Sequence, residues 1–178
     1  MTQDRSKLDW MCTYTGLQYY PAAPRADEVC IEDIAHALSM LCRYTGHCRE
    51  FYSVAEHSVL VSQVVPIEYA LIGLLHDATE AYCNDINRPL KRSLPDYNRI
   101  EALNWAAIAE KFELPVDIPD EVHAADWAVL RTEAEDLMPK TTRQWGFQQP
   151  AADVVILALN PEWAKLLFLN RFRKLTGT

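Results

Sequence analysis

The sequence predicts an all-α domain, and three observations carry that expectation. Apolar residues recur at three- and four-residue spacing through most of the 178-residue chain. Helix-start signals precede those stretches, among them Glu32-Asp33, Ser53, Pro119 and Asn160. Strand signals are weak: VVIL at 154–157 is the best of them, and a helix claims it equally well.

Residues 1–27 read as mostly irregular, broken by Gly16, Pro21 and Pro24, with a short extended piece near MCTYTGLQYY. A helix is expected from about Ile31 to Cys42, with acids in its first turn and a stripe of Ile31, Ile34, Ala35, Leu38 and Leu41. Ser53 and Glu56 form a capping-box pattern that starts the next helix, and Pro66 either ends it or opens the one after. From Ile67 to about Cys83 the pattern is again helical. PDYNRIEALNWAAIAEKF suits a helix with Ile100, Leu103, Ala107, Ile108 and Phe112 inward. PDEVHAADWAVLRTEAEDLM follows, with Pro119 fitted to a first turn, and the last helix covers about 161–175. Six or seven helices with short connections thus form a single domain over 1–178, its core at about 31–138.

Composition bounds the function. Hydrophobic residues at 49% supply a sizeable core, and nothing is repeated or low in complexity. A net charge of -8 argues against general affinity for DNA or RNA, which depends on a basic surface. A local group of Arg and Lys can still hold a small anion. The cysteines (Cys12, Cys30, Cys42, Cys48 and Cys83) are odd in number and form no C-x-x-C pair. With neither a secretory signal nor a membrane-length apolar run, the expectation is a cytoplasmic protein with reduced thiols.

Several ionisable residues are out of place on apolar stripes. His57 falls on the stripe Val54, Val61, Val64 and Val65, and Asp126 on that of Val122, Val129, Leu130 and Leu137. His76 follows Ile72 by four residues and Glu80 follows His76 by four, so His76, Asp77 and Glu80 can share one side. Taken singly, a buried His is most often hydrogen-bonded core and a striped Asp a cap or ion-pair partner. Taken together, two imidazoles and two carboxylates on facing helices explain one another's burial if a divalent cation lies between them. The donor set of nitrogen and oxygen without thiolate suits Mn, Fe, Co, Ni or Zn rather than a structural zinc.

This ordered constellation, a His, then His-Asp about twenty residues later, then an Asp about fifty beyond, resembles the HD-domain phosphohydrolase superfamily from roughly Glu32 to Met138. The segments IEDIAHALSMLCRYTGHCREFYSVAEHS and GLLHDATEAYCNDINRPLKR are similar to small bacterial and phage members, including 5′-deoxynucleotidases. The resemblance implies an HD-domain helical bundle with His57, His76, Asp77 and Asp126 as metal ligands, Glu80 as catalytic carboxylate and Asp85 as a second acid. Arg43 stands where those enzymes place a substrate-binding Arg-Trp pair, but Tyr44 replaces the Trp. Guanosine-tetraphosphate hydrolases carry Glu-Asp where this chain has Glu80-Ala81. Binuclear members need more His ligands than His123 supplies, so one divalent metal is expected.

The implied reaction is hydrolysis of a phosphate monoester, most readily a deoxynucleoside 5′-monophosphate, with Arg43, Arg88 and Lys91 offsetting phosphoryl charge. Alternatives are a triphosphohydrolase, a cyclic-nucleotide phosphodiesterase, or a metal-stabilised nucleotide-binding module without turnover. His36 is expected to be structural, His47 to face the pocket mouth, and the five tryptophans to pack. Related proteins are often dimers, so a homodimer is possible by analogy.

Overall fold

A computed structural model describes residues 5–141, 143 and 145–178 of the protein. Helix dominates it, as the spacing predicts. Among the described residues the strands are β1 (Met11–Cys12) and β2 (Gln18–Tyr19), an antiparallel hairpin pairing Met11 with Tyr19. The helices are α1 (Ile31–Met40), α2 (Val54–Val64), α3 (Ala70–Leu75), α4 (Glu80–Cys83), α5 (Arg88–Lys91), α6 (Pro95–Lys111), α7 (Asp120–Leu137) and α8 (Pro161–Thr176). No helix among the described residues is long and apolar enough to cross a membrane.

The core is built around α2. Every residue from Val54 to Ser62 is buried, because α1, α3, α7 and α8 all pack on this helix. The single-stripe reading of α2 is therefore too narrow, and Val64 on that stripe is half-exposed. A helix buried all round must satisfy its polar groups internally. Ser53 Oγ accepts the Glu56 N–H at 3.1 Å as the expected cap, and Ser58 Oγ donates to the Val54 carbonyl at 2.9 Å. At the far end Arg171 of α8 reaches Ser62, with Nε 2.8 Å from its Oγ and Nη2 2.7 Å from its carbonyl.

Glu56 departs from the capping-box expectation. Its buried carboxylate accepts the N–H groups of Leu157, Ala158 and Leu159 at 2.7, 3.1 and 2.7 Å. VVIL at 154–157 is accordingly neither strand nor helix: its end is tied to α2 through Glu56, with Ala158 turned to φ 50°.

The expected helix from Ile67 to Cys83 is broken. A 3₁₀ turn covers Ile67–Tyr69, α3 ends at Leu75, and α4 begins at Glu80. Between them the N–H groups of Ala78 and Glu80 reach back three residues, to Leu75 and Asp77, at 2.9 and 3.0 Å. Such tightening within a helical run re-aims side chains, here those of the His-Asp pair. In α3, Gly73 lets the chain approach α2: an added Cβ would lie 3.1 Å from Val65 Cγ2 and 3.4 Å from the Ser62 Cα.

In α6, Leu103 faces outward and Asn104 inward, the reverse of the hydrophobic pattern. Asn104 accepts the Tyr19 hydroxyl at 2.7 Å and donates to the carbonyls of Pro21 and Ile100, so hydrogen bonds favour its burial and anchor the N-terminal hairpin. α8 starts at Asn160, whose side chain accepts the Trp163 N–H at 3.1 Å, and stops at Gly177 in the left-handed region.

Candidate metal centre

His57 lies in the second turn of α2, fully buried. Its Nδ1 donates to Glu133 Oε1 at 2.6 Å, since an ionised carboxylate can only accept. The other nitrogen, Nε2, therefore carries a lone pair when the ring is neutral. His76 follows the last residue of α3, and its Nδ1 donates to the Gly73 carbonyl at 2.8 Å, which fixes the same tautomer. The two rings lie 5.3 Å apart, brought together by the close α2–α3 packing at Gly73.

Carboxylates complete the cluster. Asp126 of α7 places Oδ1 3.2 Å from His57 Nε2, and Asp77 Oδ2 lies 3.5 Å from His57 Nε2 and 3.3 Å from His76 Nε2. One donor atom from each of His57, His76 and Asp126 falls within 4.8 Å of the others. Both Nε2 atoms are buried and neither makes a hydrogen bond. Buried polar atoms are nearly always paired, so these two facing orphans, with acid groups beside them, fit a divalent cation. The His-His-Asp group can hold a metal ion, and Asp77 is within reach of both rings.

The electrostatics follow from burial and charge. Burial and the Arg43 cation push the His57 pKa down, but Glu133 and Asp126 more than offset them and it stands at about 9. Burial acts against ionisation of Asp126 too, yet its neighbours His57, His76 and Arg43 hold it below the usual carboxylate range. Glu80 behaves oppositely. Burial first, then the like charges of Asp77 and Asp85, push its pKa well up, and its Oε2 has no hydrogen-bond partner. Asp85 is also raised, chiefly by burial.

Arg43 opens the 3₁₀ turn Arg43–Gly46, in which Tyr44 and Thr45 are both left-handed at φ 58° and 55°. Two successive non-glycine residues there are strained, a condition that recurs at functional sites. The guanidinium bridges Asp77 Oδ2 at 3.5 Å and Glu133 Oε2 at 3.2 Å. The Tyr44 hydroxyl donates to Glu133, and its ring meets Trp145 edge-on with centroids 6.1 Å apart.

No family model matches the chain. It is 42% identical over 172 residues to the uncharacterized protein YfdR of Escherichia coli, an alignment covering 95% of this chain and 97% of YfdR. The chain belongs to the YfdR family. An uncharacterized protein of Rhodobacter capsulatus is 31% identical over 161 residues, covering 83% of this chain and 79% of the relative.

Of the residues singled out in the sequence, this YfdR-family fold gathers His57, His76, Asp77 and Asp126 in one cluster, with Arg43 in contact and Glu80 and Asp85 close enough to feel Asp77. The remaining three lie differently. Lys91 pairs with Glu101 at 2.5 Å and sits over the Tyr97 ring. Arg88 is exposed and stacks on Trp127 at 4.5 Å, next to the ligand candidate Asp126. The Tyr44 hydroxyl is engaged by Glu133. A cavity of about 720 Å³ lies beside the C-terminal part of α7, lined by Arg131, Lys140, Trp145 and Phe147 among others, and includes none of the candidate residues.

His36 stacks on Tyr14 with centroids 3.9 Å apart, whereas His47 and His123 are exposed. Trp105 packs in the core and donates to the Val116 carbonyl at 2.6 Å, as a packing tryptophan should. Trp127 and Trp145 instead border the site through Arg88 and Tyr44. Sequence reasoning missed Glu133 and Tyr52. Glu133 stands seven residues after Asp126, two helical turns on the same face, and that spacing was the available signal.

Proposed function

We propose that the protein is an HD-type, metal-dependent phosphohydrolase that cleaves a nucleotide phosphate monoester, with a deoxynucleoside 5′-monophosphate as the leading substrate. The observation that carries the reading is the pair of buried, unpartnered imidazole nitrogens of His57 and His76 facing Asp77 and Asp126. The sequence resemblance supplies the substrate class; the geometry supports a cation site beside an acid and an anion-binding base.

His57, His76, Asp77 and Asp126 hold one divalent ion of the Mn, Co, Fe, Ni or Zn group. When bound, that ion polarises a phosphate oxygen and lowers the pKa of water. Arg43 sits against Asp77, and its fixed positive charge is available to offset charge on a phosphoryl group. Glu80 is held near the centre with one oxygen uncommitted and its proton affinity raised, the property of a group that both accepts and returns a proton. Ionised Glu80 takes the proton of the attacking water as its oxygen bonds to phosphorus. The bond from phosphorus to O5′ breaks, and the proton passes to that oxygen, leaving nucleoside and orthophosphate. Asp85 is the second acid: its charge raises the proton affinity of Glu80, while its own is raised by burial and by Asp77.

A screen of nucleoside mono-, di- and triphosphates and cyclic nucleotides with added Mn²⁺ or Co²⁺ tests this. The expected result is orthophosphate from a monophosphate. Tripolyphosphate or a ring-opened monophosphate as product would move the substrate assignment while keeping the scaffold; binding without turnover would favour a non-catalytic module. His76→Ala is expected to lose both metal and activity, and Glu80→Gln to keep metal while losing about 10²–10⁴-fold in rate.

A further inference from the structure

Glu133 is fully buried, and a buried carboxylate persists only when it is heavily paired. Its two oxygens serve two different groups. Oε1 accepts from His57 Nδ1 at 2.6 Å and from the Tyr52 hydroxyl at 2.8 Å. Oε2 accepts from the Tyr44 hydroxyl and lies 3.2 Å from Arg43 Nη2 and 3.3 Å from Arg43 Nε. Asp77 completes a closed ring on the opposite side, its Oδ2 3.5 Å from both Arg43 Nη1 and His57 Nε2.

We infer that Glu133 is a positioning residue that couples the cation site to the anion site, one oxygen orienting the His57 imidazole and the other the Arg43 guanidinium. The inference rests on the proposed metal-dependent reading of the site. A carboxylate behind a ligand imidazole fixes its tautomer and orientation. Here the same carboxylate also fixes Arg43, the cation that the proposed reading assigns to the phosphoryl group. All of its partners are donors, so both oxygens must accept. A cation and an anion held on either side of this support attract each other, so occupation of either site is expected to favour the other, reciprocally.

Glu133→Gln tests this, because an amide offers an acceptor to one side and a competing donor to the other. Calorimetry with Co²⁺ alone, and with inorganic phosphate in the presence and absence of Co²⁺, gives both affinities and their coupling without any turnover. In the wild type, Co²⁺ is expected to raise phosphate affinity. In Glu133→Gln, Co²⁺ is expected to bind about 10–100-fold more weakly, and the gain in phosphate affinity to shrink. Tyr44→Phe removes one donor from the Arg43 side only and should weaken phosphate binding with Co²⁺ affinity unchanged; it carries the test if Glu133→Gln does not fold. Wild-type affinities in Glu133→Gln, or in Tyr44→Phe undiminished phosphate binding, would overturn the inference. A wild type that binds and couples both ions yet hydrolyses nothing defeats the hydrolase reading alone. An active wild type whose Glu133→Gln variant keeps full coupling defeats this inference alone, and a wild type that binds neither Co²⁺ nor Mn²⁺ and hydrolyses nothing defeats both.

Discussion

At the scale of single residues, the site sets ionisable side chains against their surroundings. Glu80 carries the clearest consequence. Its folded pKa is raised well above the ordinary value of 4.5 by burial and by Asp77 and Asp85. Below that ordinary value both folded and unfolded states are protonated, and Glu80 does not weaken the fold. As pH rises from there toward its folded pKa, the unfolded chain ionises freely while the folded one resists, so stability is lost. In metal-free protein Glu80→Gln is therefore expected to be more stable than wild type at neutral pH by about 1–3 kcal/mol. Urea denaturation from pH 4 to 8 checks this, and the difference should vanish at the acid end. Constant destabilisation of the variant across that range would contradict it. His57 and Asp126 were legible in the sequence because charge interrupts their apolar stripes. Glu133 was masked: it lies in RTEAED, where surrounding charges make it look like a solvated face, and its spacing from Asp126 gains meaning only with the burial that separates it from exposed Glu135 and Asp136.

At the scale of elements, two devices place the His-Asp pair. Tight turns between α3 and α4 re-aim His76 and Asp77, and Gly73 brings α3 onto α2. A Cβ at position 73 would press on Val65 Cγ2 at 3.1 Å, with the Ser62 Cα just behind it at 3.4 Å. Gly73→Ala is expected to destabilise by about 1–3 kcal/mol through overpacking, and to weaken Co²⁺ binding by moving His76 from His57. Chemical denaturation and calorimetry measure the two effects, and lost stability with intact Co²⁺ affinity would separate the packing from the site. Helix existence was legible from periodicity over most of the chain. The break at His76 was not, since a helix and a series of three-residue turns bury nearly the same residues. Nor was the course of VVIL legible, because it is set by Glu56, a hundred residues away in sequence.

For the whole molecule, the all-α architecture wraps α1, α3, α7 and α8 around a buried α2, which carries His57, and brings His76 and Asp126 to it from α3 and α7. That convergence was inferable from the ordered motifs, whereas the support behind it was not, because Tyr44, Tyr52 and Glu133 meet only through the tertiary fold. The net charge of -8 makes a cation site easy to fill and an anion site dependent on local groups such as Arg43. The central claim is that the acid–imidazole cluster is a single cation site. Anomalous diffraction at the Mn or Co edge, on crystals grown with that metal, tests it most directly. One strong peak per chain is expected in coordination contact with His57 Nε2, His76 Nε2 and Asp126. A fully occupied ion elsewhere, with both imidazoles unligated, would contradict it.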